Sequence, residues 1–115
     1  MIAVIFELRA AAGQRETYLE LAAQLKPLLA EIDGFISIER FQSLSEPDKL
    51  LSLSFWRDEV AVQQWRNLEQ HRQAQARGRH EVLEYYRLRV AEVVRDYGLE
   101  PREQAPTDSR DFHPD

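Results

Sequence analysis

The sequence predicts an α+β fold of the ferredoxin-like type, a βαββαβ chain whose four strands form one antiparallel sheet with the helices on one face. Four segments are β-branched or alternate between apolar and polar residues, two segments between them carry apolar residues at helical spacing, and Gly, Pro or Asp marks the boundaries. The chain has 115 residues, the size of one domain. We expect the domain to span residues 1–98 and residues 99–115 to form a polar tail.

The first strand and the first helix are predicted from the N-terminal third of the chain. Residues 2–9 begin apolar and β-branched and then become polar, which is typical of a buried strand. Apolar residues then recur every three or four positions from Tyr18 to Ile32, which predicts a helix of about five turns. Pro27 predicts a kink, because the apolar stripe continues in phase beyond it. Gly34 is expected to end the helix in the left-handed conformation.

A hairpin is predicted next. Residues 35–44 nearly alternate, residues 45–48 (SEPD) form a turn, and residues 49–57 alternate again, so two antiparallel strands are expected. The predicted faces are Ile36 and Ile38 against Phe35 and Phe41 in the first of these strands, and Ser52, Ser54 and Trp56 against Leu51, Leu53 and Phe55 in the second.

The second helix and the last strand complete the order. Asp58 is a suitable N-cap, and Ala61 and Trp65 begin one apolar stripe that continues until Gly78 interrupts it. Residues 85–97 fit a helix or a strand by periodicity, and their β-branched and aromatic content favours the strand. At about 3.3 Å per residue this strand would be roughly 40 Å long, more than a body of this size needs.

Composition and charge exclude several classes of protein. The chain has no cysteine, which excludes disulfide frameworks, thiolate zinc sites and cysteine nucleophiles. The longest apolar run, residues 2–6, is too short to span a membrane and too near the terminus for a signal peptide, so we expect a cytoplasmic protein without a membrane partner. The net charge is −5, of which residues 99–115 carry −3, and the nearly neutral remainder predicts no nucleic-acid partner.

The helices leave one face of the predicted sheet uncovered. No face of these strands is uniformly polar and the last strand is long, so we expect a two-fold homodimer in which the two sheets face each other. Arg87 and Arg89 share a phase on the last strand and need an acidic partner if they face the dimer interior, for which Glu39 or Glu92 is suitable. Alternation places Arg40 on the side opposite Glu39.

Four short segments resemble the antibiotic biosynthesis monooxygenase family. They are residues 34–41 (GFISIERF), 51–56 (LSLSFW), 65–68 (WRNL) and 71–72 (HR). The resemblance covers roughly residues 2–98. It implies ferredoxin-like chains that dimerise into an α+β barrel, and it implies two types of activity that can be compared with this chain's residues.

One type oxidises anthrones and needs no metal or flavin. An acidic carbon of a polycyclic phenol is deprotonated, and the carbanion passes an electron to oxygen. The resemblance places the tryptophan of this type, at the end of the third strand, at Trp56. The asparagine that the family carries four residues earlier is replaced by Ser52, which also donates a hydrogen bond to a keto oxygen but has a shorter reach.

The other type degrades haem. The tryptophan that this type carries on the second helix matches Trp65, but the position of the iron ligand ten residues later holds Gln75. The asparagine of the first strand falls near Phe6 or Glu7. The resemblance therefore implies the aromatic wall of a haem site without its ligand.

These residues lead to a specific hypothesis about a binding pocket. We expect a monooxygenase without a metal or any other cofactor, which oxidises a flat aromatic or quinol-like compound between its sheet and its helices. The expected walls are Trp56, Trp65, Phe55 and Tyr86.

The hypothesis also assigns catalytic roles. His71 is the expected base, because a neutral imidazole can take a proton from an acidic carbon near neutral pH. Ser52 and Asn67 are expected to orient the substrate oxygen, and Asn67 lies one helical turn before His71. His80 lies nine residues after His71, on the opposite side of an unbroken helix, so a shared metal site is not expected.

Two alternatives stay open at this point. One is a non-catalytic, dimeric binding or assembly module, and the other is a haem-binding relative. A core filled by Trp56 and Trp65 would favour the module, since tryptophan is often a core residue, whereas a pocket on which Ser52, Asn67 and His71 converge would favour catalysis.

Overall fold

The computed structural model of the chain describes residues 1–75 and 82–99, with the side chains of residues 70–75 left out of the description. It contains four strands and two helices in the predicted order. They are β1 (Ile2–Ala10), α1 (Arg15–Leu29), β2 (Phe35–Gln42), β3 (Lys49–Trp56), α2 (Glu59–Gln75) and β4 (Leu83–Glu92).

The sheet has the order β2-β3-β1-β4, and each neighbouring pair is antiparallel. This is the ferredoxin-like α+β arrangement, and it confirms the predicted fold class. The segment of ambiguous periodicity is a strand, but it ends at Glu92 and so measures roughly 33 Å instead of the predicted 40 Å. Gly78 and residues 100–115, most of the predicted tail, lie outside the described residues, and the domain limit at residue 98 stays a prediction.

Helix α1 continues past Pro27 but ends earlier than predicted, at Leu29. The apolar residue Ile32 lies beyond the helix in a tight turn, where its N–H donates to the carbonyl of Leu29 at 3.1 Å. Gly34 has a φ of +95°, so the left-handed conformation is correct but belongs to the entry into β2. The predicted helix was too long because the turn after α1 keeps its apolar residue on the same side as those of the helix. The apolar spacing therefore does not change where the helix ends.

Gly34 is also a place where two segments approach closely. A Cβ atom at this position would lie 2.8 Å from the Cβ of Ala61, a buried residue of α2. Its carbonyl accepts the N–H of Arg57 at 2.7 Å, which fixes the start of β2 against the end of β3. Glycine is therefore required here by both backbone conformation and space.

Gly34→Ala is expected to destabilise the fold more than Gly13→Ala. Gly13 also has a positive φ, of 75°, but a Cβ there would meet nothing within 4 Å. Gly13→Ala should therefore cost only the left-handed strain, about 1–2 kcal/mol, whereas Gly34→Ala adds a clash worth about 1–3 kcal/mol. Chemical denaturation of both variants measures the difference. Equal losses would show that Ala61 moves aside freely.

Helix α2 begins as predicted, with Asp58 as its N-cap. The N–H of Ala61 donates to Oδ1 of Asp58 at 3.0 Å, and Nε of Arg57 donates to Oδ2 at 3.1 Å. Two hydrogen bonds lower the pKa of the Asp58 carboxyl below its ordinary value, first the one from the backbone of Ala61 and then the one from the side chain of Arg57. Arg57 also binds Asp33 at 3.1 Å, so its guanidinium joins the turn before β2 to the loop between β3 and α2.

One side of the sheet, here called the helix-facing side, carries two apolar clusters. The first joins β1 and β3 to both helices through Ile2, Val4, Leu29, Trp56, Ala61 and Val62. The second lies at the other end of the strands and contains Leu8, Leu50, Val82 and Leu83. The strand register puts the even-numbered residues of β1 and β3 on this side, which confirms the predicted alternation in β3.

The other side, here called the open side, takes no part in the two clusters that join the sheet to the helices. It combines an apolar area with ion pairs. Ile5 pairs with Leu53, and Ala3 pairs with Phe55, in the middle of this side. Glu7 binds Arg89 at 3.0 Å and Lys49 at 3.5 Å. The predicted partner of Arg89, Glu39 or Glu92, is therefore wrong. Glu7 is the partner instead, because it lies on β1, next to β4, and follows Ile5, the residue opposite Arg89, on the same face of the sheet.

Neither described helix is long and apolar enough to span a membrane.

Candidate functional site

Three residues form a row across the helix-facing side, between the two apolar clusters. Arg40 of β2 lies opposite Ser52 of β3, and Ser52 lies opposite Phe6 of β1. We call Arg40, Ser52 and Phe6 the central row. It is polar at two of three positions, whereas one neighbour of each polar residue along its strand is apolar, Ile38 on β2 and Leu50 on β3.

Ser52 is the buried hydroxyl of this row. Its exposed fraction is 7%, its Oγ makes no side-chain hydrogen bond in the described part of the chain, and that oxygen is not fully shielded from solvent. Ser54, two residues further along the same strand, is buried to the same degree but accepts a hydrogen bond from Trp56. A buried hydroxyl usually has a partner, so the free one is the better candidate for binding a ligand.

An aromatic group lies on the same side of the sheet, four residues along β3 from Ser52. Trp56 is fully buried, and its Nε1 donates to Ser54 Oγ at 2.9 Å. Its ring stacks on that of Trp65, with centroids 6.4 Å apart, and meets the edge of Phe35 at 5.2 Å. Trp56 is thus a core residue whose N–H is already used, and Trp65, which is half-buried, is the tryptophan with surface left for a ligand.

Phe6, at the β1 end of the row, contacts Tyr86 of the neighbouring strand β4. Their rings meet edge to face, with centroids 5.8 Å apart. Tyr86 lies on the helix-facing side, paired with Leu8, and is 54% exposed. The structure thus puts Trp65 and Tyr86 on the side of the sheet that holds Ser52, as the sequence hypothesis requires.

Two predicted site residues do not reach this side or this site. Phe55 pairs with Ala3 and points to the open side, because it alternates with Ser54 and Trp56, so it cannot wall the same pocket. Asn67 is exposed on α2, whereas Trp65 and Leu68 are its half-buried neighbours. It therefore faces away from Ser52 and cannot orient an oxygen bound there.

The predicted base, His71, belongs to the last turns of α2, but its side chain lies outside the described residues. The same holds for Gln75. The role of His71 stays a prediction.

Sequence reasoning did not assign a role to Arg40 or Phe6. Arg40 was predicted only to point away from Glu39, which the register confirms, since Glu39 lies opposite Leu53 on the open side. A signal was present: Arg40 keeps the phase of Ile38, an apolar residue packed on the first cluster. A charged residue in a buried phase is more informative than an exposed one.

The central row can bind a flat, mostly apolar ligand that carries a polar oxygen. The row runs from the guanidinium of Arg40 through the hydroxyl of Ser52 to the ring of Phe6, and the rings of Trp56 and Trp65 lie on the same side of the sheet, further along β3. Neither of these two polar groups is a ligand of haem iron. Among the residues described here, no group of three His, Asp or Glu side chains is placed to hold a metal ion.

Comparison with known proteins gives a family and a close relative. The model of the family described as "Antibiotic biosynthesis monooxygenase" matches residues 1–77. A protein of Pyricularia oryzae named "Jasmonate monooxygenase ABM" is 54% identical over 94 residues, which are 82% of this chain and 44% of that protein. An uncharacterized protein of Bacillus subtilis, YqjZ, is 34% identical over 79 residues, 68% of this chain and 67% of that one.

Solved structures with the same fold are more distant in sequence. Rv0793 of Mycobacterium tuberculosis superposes with a TM-score of 0.72 at 17% identity, covering 84% of this chain and 98% of that one. The heme-degrader MhuD of the same organism, solved with two hemes bound, superposes with a TM-score of 0.68 at 20% identity, covering 85% of this chain and all of that one. At such identities the likeness shows the fold alone.

Proposed function

The chain belongs to the antibiotic biosynthesis monooxygenase family, and we propose that it is a monooxygenase that binds its substrate over the central row. The observation that carries the proposal is Ser52, a residue that is 7% exposed, whose hydroxyl has no side-chain hydrogen bond in the described part of the chain and which lies between Arg40 and the ring of Phe6. Such a site suits a small, flat compound with one oxygen that needs a hydrogen bond. An aromatic or quinol-like compound has these properties.

In the proposed reaction no metal, flavin or other cofactor takes part. His71 removes a proton from an acidic carbon of the substrate, and Ser52 donates a hydrogen bond to the adjacent oxygen, which becomes negatively charged. The carbanion then reduces O2. One methylene group and one O2 give one carbonyl group and one water, so the four electrons gained by oxygen are the four lost by the carbon.

The relative from Pyricularia oryzae favours a second candidate substrate. Its name states that it acts on jasmonate, and it is 54% identical over 94 residues. The chain spans only 44% of that protein's length, so its activity is carried over as a proposal. Insertion of one oxygen atom into a C–H bond takes two electrons from the substrate. The other oxygen atom then needs two electrons and two protons from a reductant, such as a reduced nicotinamide.

We also propose that the chain forms a homodimer through the open side of its sheet. Ile5, Leu53 and Phe55 give that side an apolar middle, and β4 lies at the sheet edge with little cover on either face. Leu88 and Val90, on the helix-facing side of β4, are 47% and 40% exposed. A second copy that packs on the open side and also reaches around the edge strand β4 would bury the apolar middle of the open side together with Leu88 and Val90.

Oxygen uptake tests the proposed activity. We expect the purified protein to consume O2 with anthrone alone, and with jasmonate only when a reduced nicotinamide is added. His71→Ala should lower the rate by about 10²–10⁴-fold, because a positioned base contributes that much. The same substitution at the other histidine of this region, His80→Ala, is the matched control and should leave the rate unchanged.

The other outcomes decide between the alternatives. No uptake above buffer with either compound would contradict the monooxygenase proposal, and ligand binding without uptake would favour the non-catalytic module. An equal rate in His71→Ala would remove that residue from the mechanism. A Soret band that forms when haem is added would favour the haem-binding alternative.

A further inference from the structure

Arg40 differs from those cations of the sheet that have an acidic partner. On the open side Arg89 and Lys49 both bind Glu7, and Arg9 binds Glu46 at 2.6 Å. Arg40 lies on the helix-facing side, where its Nε is shielded from solvent and has no hydrogen-bond partner in the described part of the chain.

An unpartnered guanidinium nitrogen away from water is unfavourable unless something binds to it. The residues beside Arg40 on its own side offer no negative charge. They are Ile38 and Gln42 along β2 and, across the strand pair, Leu50, Ser52 and Ser54. The nearest acid in the sequence, Glu39, faces the open side. None of the neighbours of Arg40 on the sheet therefore supplies the acceptor that its Nε lacks.

We propose that Arg40 and Ser52 form a subsite for the carboxylate of a bound ligand. The proposal rests on the proposed function for the location of the ligand, but not on the oxidation step. Direct cross-strand pairing puts the two side chains side by side on the same face. Nε and a terminal nitrogen of a guanidinium form a planar edge that matches the two oxygens of a carboxylate, and the Ser52 hydroxyl can donate to one of them.

This assignment gives the ligand a direction. The carboxylate lies at the β2 end of the central row, and the apolar remainder extends over Phe6 toward Tyr86, or toward the half-buried ring of Trp65. Among the compounds that the central row can bind, an apolar carboxylic acid is thus the tighter ligand, with its carboxylate taking the Ser52 hydrogen bond that a neutral compound would use for its keto oxygen.

Binding of jasmonate and of its neutral methyl ester tests this subsite. The side-chain Nε–H signals of the arginines are followed by NMR in ¹⁵N-labelled full-length protein while each compound is added. We expect jasmonate to shift the Arg40 signal and to bind at least tenfold more tightly than the ester. Arg40→Gln should abolish that preference. Arg66→Gln, which removes the same charge from an exposed position of α2, should preserve it.

Several results would overturn the subsite. They are equal binding of acid and ester, a preference that survives in Arg40→Gln, and no shift of the Arg40 signal with jasmonate or with 2-naphthoate at about 10 mM, a concentration that detects even millimolar affinity. The proposed function fails separately. Oxygen uptake without charge preference contradicts only the subsite, and charge preference without uptake contradicts only the oxidation.

Discussion

Trp56→Ala is expected to destabilise the protein by about 3–5 kcal/mol, the range for removing a large buried aromatic side chain. Trp56 is fully buried and contacts Phe35, Trp65 and the rest of the first apolar cluster. Because domains of this size are stable by only about 5–15 kcal/mol, the variant should unfold at a much lower denaturant concentration than the parent. Equilibrium denaturation at one fixed protein concentration measures the loss, since a dimer's stability depends on concentration.

The two buried serines of β3 provide the controls for this prediction. Ser54→Ala leaves the N–H of Trp56 without an acceptor and should cost about 1–3 kcal/mol. Ser52→Ala removes a hydroxyl without a protein partner and should change stability by less than about 0.5 kcal/mol. In a Trp56→Phe background, which has no indole N–H, Ser54→Ala should cost less. Equal losses for the two serines would contradict the assignment of the hydrogen bond.

The same pair of serines separates a structural role from a functional one. Ser54 is committed to the core through Trp56, whereas Ser52 is free to bind a ligand. The sequence alone cannot distinguish them, since both alternate in phase with Trp56 and both are buried. The difference depends on the side-chain rotamer of one indole, which no periodicity encodes.

The fold was predictable because it follows from patterns that are local. Alternation identified β2 and β3, β-branched and aromatic content identified β1 and β4, helical spacing identified the two helices, and Asp58 marked the start of α2. The strand order follows from these elements because short connections and a two-helix cover leave few topologies.

Irregular backbone was the part that could not be predicted. The register of β2 shifts between Phe35 and Ser37, so Phe35 shares the helix-facing side with Ile38 and contacts Trp56, whereas Ile36 is 52% exposed. Strict alternation had placed Phe35 and Ile38 on opposite faces. A β-bulge inserts one residue and reverses the phase before it, and nothing in this segment's composition announces one.

The site residues were predictable only where their phase on a strand or on the buried stripe of a helix was used. Ser52, Trp65 and Tyr86 lie on the predicted side of the sheet, but Asn67 is exposed, since its place on the helix was inferred from its spacing to His71 and not from the buried stripe of α2. Phe55 was included as an aromatic wall although its phase in β3 is that of Leu53, on the open side. In neither case was the residue's position relative to the buried side of its own element used.

Leu53→Asp is expected to dissociate the proposed dimer. Leu53 pairs with Ile5 and lies between Leu51 and Phe55 on the open side of β3. A dimer through this side would therefore enclose the new carboxylate among apolar groups. Burial of an unpaired charge costs several kcal/mol, and each 1.4 kcal/mol is a factor of about ten in the dissociation constant. We expect the dissociation constant to rise by at least about 100-fold, as measured by analytical ultracentrifugation.

Leu44→Asp is the matched control, because Leu44 lies between β2 and β3 and is fully exposed, so the same substitution there should leave the dimer intact. Circular dichroism of both variants separates dissociation from unfolding: Leu53→Asp should keep the parent's far-ultraviolet spectrum, because Leu53 is only half-buried in the single chain. A parent protein that sediments as a monomer at micromolar concentration, or a folded Leu53→Asp variant that stays dimeric, would contradict the use of the open side. In the second case the uncovered edge strand β4 would be the surface that joins the two copies, since it is the other apolar surface left exposed.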